Sequence, residues 1–334
     1  MQPPFVSKLL QEIAAELGAI VELDRDFGAV GEIIFSNGKK HLFSNTSFNI
    51  NPAAAVEIAR DKGYTKYFLS KYGLSVPIGK TFFADRLLPK LRKYSNFCDI
   101  NRACIYANSL GFPIFVKPNN LSQGILVRKV YDEDELRKVA NKIFQIADVI
   151  LIEAACIGRD YRIVVFGDEI IAAYERCPLT IVGDGRSTIE ELLIQQRQTS
   201  QTQNSLGNNI DFYDFGIWGK IAREGFDKST VLLPEYSLSM LDNANLSTGG
   251  KAIDITETLH ASCRDLAISA ARILGLQLCG VDIICANAAA ELLEYWILEV
   301  NGAPGLDNYA SIGSKQAQRV RLLYKSMLQH LEKV

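Results

Sequence analysis

Histidine is scarce in this chain, and cysteines in a pairing pattern are missing. The 334 residues hold three histidines and seven cysteines (Cys98, Cys104, Cys156, Cys177, Cys263, Cys279 and Cys285), none in a CxxC spacing. An odd count without a spacing motif argues against a disulfide framework, and so few histidines argue against a zinc site. Most of these cysteines sit among apolar neighbours, so buried free thiols are expected. An excess of one charge is also missing. Charged residues make up 22%, hydrophobic residues 48%, and the formal net charge is -2, which speaks against a basic nucleic-acid surface and a disordered acidic tail. No apolar run approaches the ~18 residues of a membrane span. The opening stretch MQPPFVSKLLQEIAAELG reads as an amphipathic helix carrying acids, unlike a signal peptide. A cytoplasmic protein with neither a membrane nor a nucleic-acid partner is expected, with a homo-oligomer left open.

What is present is an α+β pattern long enough for two or three compact units. Residues 1–103 alternate helical and strand signals: a strand pair near residues 20–43, then one helix over residues 53–71 with Lys62 and Lys66 a turn apart. The stretch AVGEIIFSNGKKHLF holds Asn37-Gly38, a type I′ hairpin signal. A charged helix with Lys90, Arg92 and Lys93 follows LSVPIGKTFF. Residues 104–185 read as a strand-rich unit. FPIFVKP is a strand ending in Lys117, NNLSQGILVRKV a polar turn and a strand, and a helix starts near Asp132 with acids at its positive end. ADVILIEAAC is a buried strand, and RIVVFGDEIIAAYER a hairpin turning at Gly167-Asp168. Residues 186–334 open with STIEELL, where Ser187 or Thr188 can cap a helix. The polar stretch 195–209 reads as a loop, ANLSTGG as a glycine turn able to approach an anion, and helices are expected over 259–275 and 315–333.

The chemistry concentrates in GVDIICANAAAELLEYWILEVNGAPG, residues 280–305. Two short apolar runs read as paired strands, and acids stand inside them. Glu299 and Asn301 are two residues apart, so a strand puts both on one face, and pairing would bring Asp282 beside them. An ionised carboxylate in an apolar strand is costly unless paired, hydrogen-bonded or bound to a cation. Two carboxylates and an amide oxygen suit Mg2+, with Mn2+ as a second divalent candidate. Acids on a solvated strand face fit the same spacing. Likewise Lys117, followed by small polar residues and Gly124, fits either a phosphate grip or an ordinary strand-turn-strand lysine.

Taken together and in order, FPIFVKP, GRDYRIVVFGDEIIAAYER, IVGDGRSTIEELL, ANLSTGGKAIDIT, LGLQLCGVDII and LEVNGAPGLDNY resemble the ATP-grasp superfamily. The similarity is to the ATP-grasp domain of cyanophycin synthetase and of the fused glutamate-cysteine ligase/glutathione synthetase. It implies an ATP-grasp fold of three subdomains (1–103, 104–185 and 186–334), with ATP held between the central and C-terminal units. It implies a ligase that joins a small-molecule carboxylate to an amine through an acyl phosphate, giving ADP and phosphate. By resemblance Lys62 and Lys117 contact phosphates, Ser122, Gln123 and Gly124 cover them, and Glu153, Ala154, Ala155 and Cys156 form the adenine hinge. Asp160 holds the ribose, Asp282, Glu299 and Asn301 ligate Mg2+, and Arg162, Ser247, Gly249 and Gly250 serve the acyl side. Three positions depart from the pattern: Leu121 stands for a glycine, Leu241 for an arginine, and Gly280 for an arginine of the D-alanine-D-alanine ligase branch. An anchor supplied by Arg162 or Lys220 is the implied replacement. The alternatives are an ATP-binding regulatory protein without ligation, or a phosphotransferase acting on a non-carboxylate acceptor.

Overall fold

The computed structural model describes residues 3–87, 99–202, 215–246 and 249–333. The expected charged helix with Lys90, Arg92 and Lys93 lies outside the described residues, as do Cys98 and Ser247. The chain divides into two compact units, one of Met1–Val76, Tyr161–Glu175 and Ile253–Val334, the other of Pro77–Asp160 and Arg176–Ala252. Among the described residues no helix is long and apolar enough to cross a membrane.

The amphipathic start forms helix Phe5–Glu16, burying Leu9, Leu10 and Ile13. Strands β1 (Ile20–Leu23), β2 (Val30–Ile34), β3 (Lys40–Ser44) and β4 (Ser47–Phe48) follow as a four-stranded antiparallel meander, two strands more than expected. The β2–β3 turn is not type I′, which needs positive φ at both central residues. Only Gly38 has it (83°), and Gly38 N–H donates to Phe35 O while Phe35 N–H donates to Lys39 O, both at 2.9 Å. The loop therefore has three residues and closes on a left-handed glycine. The single helix expected over residues 53–71 is two, Ala53–Arg60 and Lys62–Lys71. Asp61 between them is extended, and its carboxylate accepts the Tyr64 N–H at 2.9 Å, so an N-cap starts a second helix in a new direction. Lys62 and Lys66 are both buried.

In the second unit β5 (Gly79–Phe83), β6 (Ile114–Pro118), β7 (Arg128–Val130) and β8 (Val149–Ala154) pair in the order β5-β8-β6-β7. Helices Ile100–Leu110 and Glu133–Ile143 supply its core, where Ala103, Leu136, Val139 and Ile143 meet Ile114, Val116, Ile150 and Ile152. Strands β9 (Arg159–Phe166) and β10 (Glu169–Cys177) turn at Gly167, as the sequence predicts. A second small core forms where β11 (Thr180–Val182) pairs with β12 (Ser237–Ser239) beside helices Ile189–Thr202 and Phe215–Arg223. Thr188 and Glu191 make a capping box: Thr188 Oγ1 accepts the Glu191 N–H at 3.2 Å and Glu191 Oε2 accepts the Thr188 N–H at 2.8 Å. The helix runs to Thr202, so the loop expected from residue 195 is helical in its described part. Gln and Arg are good helix formers, and no glycine or proline interrupts them.

The first unit's main sheet adds β13 (Lys251–Asp254), β14 (Leu278–Cys285) and β15 (Tyr295–Asn301) in the order β13-β10-β9-β14-β15. Helix Ala261–Leu274 covers it with Leu266, Ala267 and Ala270, and ends at left-handed Gly275. Helix Ser314–Lys333 pairs with the first helix through Arg321 and Lys325, which reach Glu12 and Glu16. Cys104, Cys263, Cys279 and Cys285 are buried thiols, as the sequence leads one to expect. Burial pushes the thiols of Cys104 and Cys279 up, to about 11 and about 12.

Thr188→Ala removes the cap oxygen and should cost about 1 kcal/mol, while Thr188→Ser should retain most of it. Urea denaturation midpoints of the two variants measure this.

Candidate active site

The two acid-bearing strands pair as the spacing predicts. In β14–β15 Asp282 stands opposite Glu299 and Gly280 opposite Asn301, so the three oxygen donors share one face. The register shifts between Asp282 and Ile283, and Ile283 pairs with Ile297, leaving Leu298 as the extra residue of a bulge. Asp282 is only 1% exposed.

Arg162 on β9, the neighbour of β14, neutralises it. Nε donates to Asp282 Oδ1 at 2.6 Å and Nη2 to Oδ2 at 2.7 Å, a bidentate pair, and Nη2 lies 3.7 Å from Glu299 Oε1. Lys62 Nζ sits 3.4 Å from Glu299 Oε2. Two carboxylates thus face two cations. Burial works against the charged guanidinium, but the Asp282 carboxylate, with Glu299 behind it, outweighs that and holds Arg162 protonated well above its ordinary range. Gly280 lies against this pair: a Cβ there would stand 3.4 Å from Arg162 Cδ, in van der Waals contact, and 3.3 Å from Pro304 Cβ.

The donor set fits Mg2+ in kind. Among the described residues no cluster of three or more His, Cys, Asp or Glu side chains gathers, so the site depends on two carboxylates and the Asn301 amide. Such a set, completed by water and phosphate oxygens, is typical of Mg2+. Asn301 Oδ1 accepts the Ala303 N–H at 3.0 Å. An amide oxygen has about two acceptor positions, so this bond leaves room for a cation on Asn301 Oδ1.

The second unit holds most of the residues assigned to the nucleotide. Lys117 on β6 and Glu153 on β8 are both buried and form an ion pair between diagonal cross-strand neighbours. At the end of β8, Ile78 O takes the Ala154 N–H at 2.8 Å, and Ala155 and Cys156 lie just past the strand. Asp160 Oδ1 accepts Arg176 Nε at 2.9 Å and Nη2 at 2.6 Å. In the polar turn Ser122 O accepts the Ile125 N–H at 3.3 Å, and Gln123 and Gly124 are both left-handed. A Cβ on Gly124 would stand 2.7 Å from Asn245 Nδ2 and 3.3 Å from Asn243 Nδ2, so this turn and the ANLSTGG segment touch. Gly250 is equally constrained, since a Cβ would meet Cys177 O at 2.6 Å, and Gly249 has φ 89°. Leu241 packs on the small core under β11 and β12, and Lys220 pairs with Glu224 one turn along its helix.

Reading the sequence did not single out Arg176, which stood inside the quoted AAYER string with no local feature marking it. The amides of Asn243 and Asn245 belong to the glycine turn that the sequence marks, and what the sequence does not show is that the Gly124 turn packs on them.

A family model described as the D-ala D-ala ligase C-terminus matches residues 89–184, and a RimK-like ATP-grasp domain matches residues 242–321. The chain belongs to the ATP-grasp superfamily. It is 32% identical over 262 residues to a cyanophycin synthetase of Geminocystis herdmanii (strain PCC 6308), covering 75% of this chain and 28% of that one. It is 25% identical over 256 residues to a glutathione biosynthesis bifunctional protein of Clostridium perfringens, covering 75% of this chain and 31% of that one. The ATP-grasp chain thus spans less than a third of either relative's length. Among solved structures, a bifunctional glutathione synthetase from Pasteurella multocida superposes with a TM-score of 0.53 at 19% identity, covering 90% of this chain and 40% of that one. The fold is shared, and superfamily membership implies ATP use.

Arg162→Leu removes the bidentate partner of the buried Asp282 carboxylate and should destabilise the protein by about 3–5 kcal/mol, whereas the Arg162→Leu/Asp282→Leu double variant should lose much less. Chemical denaturation of both variants checks it.

Proposed function

We propose that this chain is an ATP-dependent ligase that joins a carboxylate to an amine, on an amino acid, a small peptide or a biosynthetic intermediate. The observation that carries the reading is the face shared by Asp282, Glu299 and Asn301, set beside Arg162 and Lys62. These three oxygen donors hold Mg2+, with Mn2+ as a substitute; when bound, the ion offsets negative charge on the phosphates. Lys62 and Lys117 contact the phosphates as point charges, and Ser122, Gln123 and Gly124 cover them. The strand end Glu153–Cys156 takes the adenine through backbone groups, and Asp160, oriented by Arg176, takes ribose hydroxyls.

In the reaction a substrate carboxylate oxygen attacks the γ-phosphorus and ADP leaves with the bridging oxygen. The amine nitrogen then attacks the acyl carbon, phosphate departs, and the amine's proton passes to solvent or base. Activation turns a poor leaving group into a good one. The tetrahedral oxyanion needs donors aimed at it. Arg162, the backbone of Gly249 and Gly250, and Ser247 are each candidates for that role. The substrates are small molecules and the setting is cytoplasmic.

One observation favours a second reading. Leu241, which stands where the resemblance expects an arginine, packs on a hydrophobic core. A chain that binds ATP without transferring the acyl group, or that phosphorylates a non-carboxylate acceptor, fits that replacement.

ADP release from Mg-ATP across a panel of amino acids and dipeptides, with hydroxylamine as an acyl-phosphate trap, separates these readings. A hydroxamate dependent on one carboxylate is expected, and Glu299→Gln should lower ADP formation at least about 100-fold. Undiminished turnover in that variant would sink the site assignment. ATP binding with no ADP from any panel member would favour the regulatory reading, and a phosphorylated product without hydroxamate the phosphotransferase.

A further inference from the structure

The residues that follow β15 turn sharply, and the turn is held by side chains from far back in the chain. Asn301 Oδ1 accepts the Ala303 N–H at 3.0 Å, fixing the direction of the side-chain oxygen. Gly302 O accepts Asn51 Nδ2 at 2.7 Å, and Ala303 O accepts Thr46 Oγ1 at 2.9 Å. Asn51 does more. Its Nδ2 also donates to Leu278 O at 2.7 Å, and its Oδ1 accepts the N–H groups of Gln277 at 2.7 Å and Leu278 at 3.0 Å. That is every hydrogen bond an asparagine amide can make, two as donor and two as acceptor.

The geometry of these bonds is specific. Leu278 opens β14 and Gly302 directly follows β15, and because the strands are antiparallel these points lie at the same end of the pair. One side chain therefore pins both strands that carry the oxygen donors, beside Asn301 and four residues from Asp282. Thr46 and Asn51 lie in the N-terminal part of the chain, before residue 89, outside both segments that the family models match.

We propose that Asn51, assisted by Thr46, is a positioning residue for the cation-holding set, an inference that rests on the reading of Asp282, Glu299 and Asn301 given above. Asn51 touches no substrate in this account. It fixes the spacing of the strand ends and the Asn301–Ala303 turn, and so the direction of Asn301 Oδ1. The N-terminal meander thereby gains a role in metal binding.

Asn51→Asp is the sharpest probe, because it keeps shape and both acceptor contacts but loses the two donors to Leu278 O and Gly302 O. Mn2+ binding to the full chain, followed by electron paramagnetic resonance with a non-hydrolysable ATP analogue present, reads the site without turnover. The dissociation constant for Mn2+ should rise about 10-fold or more in Asn51→Asp, with metal-free binding of the analogue unchanged within about 2-fold. Thr46→Val should weaken Mn2+ in the same direction and Thr46→Ser should restore it. Wild-type Mn2+ affinity in a folded Asn51→Asp overturns the proposal; should that variant not fold, unaltered affinity in Thr46→Val does so. If wild type and Glu299→Gln bind Mn2+ equally weakly, the reading of the donor set itself fails and the inference with it.

Discussion

A carboxylate in the middle of a buried strand has to be compensated, and in this protein the surroundings of Asp282 follow from that requirement. Moving an ion of this size out of water costs several kcal/mol even after relaxation, and the cost is met only where a partner of good geometry supplies hydrogen bonds as well as charge. Arg162 supplies both from the neighbouring strand, through two parallel N–H donors at 2.6 and 2.7 Å. The position two residues before Asp282, Gly280, lies beside the guanidinium, close enough that a Cβ there would touch Arg162 Cδ at 3.4 Å. For Glu299 to face the same cation, β15 must be in register with Asp282, and beyond that pair the bulge resets the strand.

The same compensation recurs in the second unit with the signs exchanged. Lys117 is buried in β6, and Glu153 from β8 is its partner, also buried. A buried ion pair of this kind is weak evidence for stability, because well-packed apolar residues would do as well or better. Its retention therefore calls for another explanation, and a ligand carrying several negative charges provides one. A triphosphate competes for the lysine with more charge than one carboxylate offers. The Lys62–Glu299 contact at 3.4 Å has the same form. In each case a carboxylate holds a lysine in place, and the proposed phosphate contact would be an exchange of one anionic partner for another.

How much of this was legible in the sequence depended on the range of the interaction. Asp282, Glu299 and Asn301 stood out because acids interrupted apolar runs, and the period of a strand put them on one face. Lys117 was legible for the same reason. Errors came where a local signal had two structural answers. Asn37-Gly38 fits a two-residue turn or a three-residue loop, and hydrogen bonding across Phe35 and Lys39 selected the second. The run from Ala53 to Lys71 fits one helix until Asp61 is seen to cap a second one. Asn51 was invisible because its partners lie at Gln277, Leu278 and Gly302, more than 220 residues away, and no periodicity marks a residue whose work is tertiary hydrogen bonding.

The exchange between Gly280 and Arg162 bears on how such a site can differ from its relatives. An arginine two residues before the strand carboxylate would lie on the same strand and face as Asp282, whereas Arg162 approaches from across the sheet. A Cβ at position 280 would already be in van der Waals contact with Arg162 Cδ, at 3.4 Å, so a longer side chain there would lie against the guanidinium. Restoring an arginine at 280 alone would therefore set a second cation against the first. In this chain the cation beside Asp282 comes from the next strand, and its orientation is fixed by the bidentate pair. A guanidinium so engaged holds its plane parallel to the carboxylate it pairs with. Under the proposed role of Arg162 on the acyl side, a substrate would meet the guanidinium by the edge that the bidentate pair leaves uncovered.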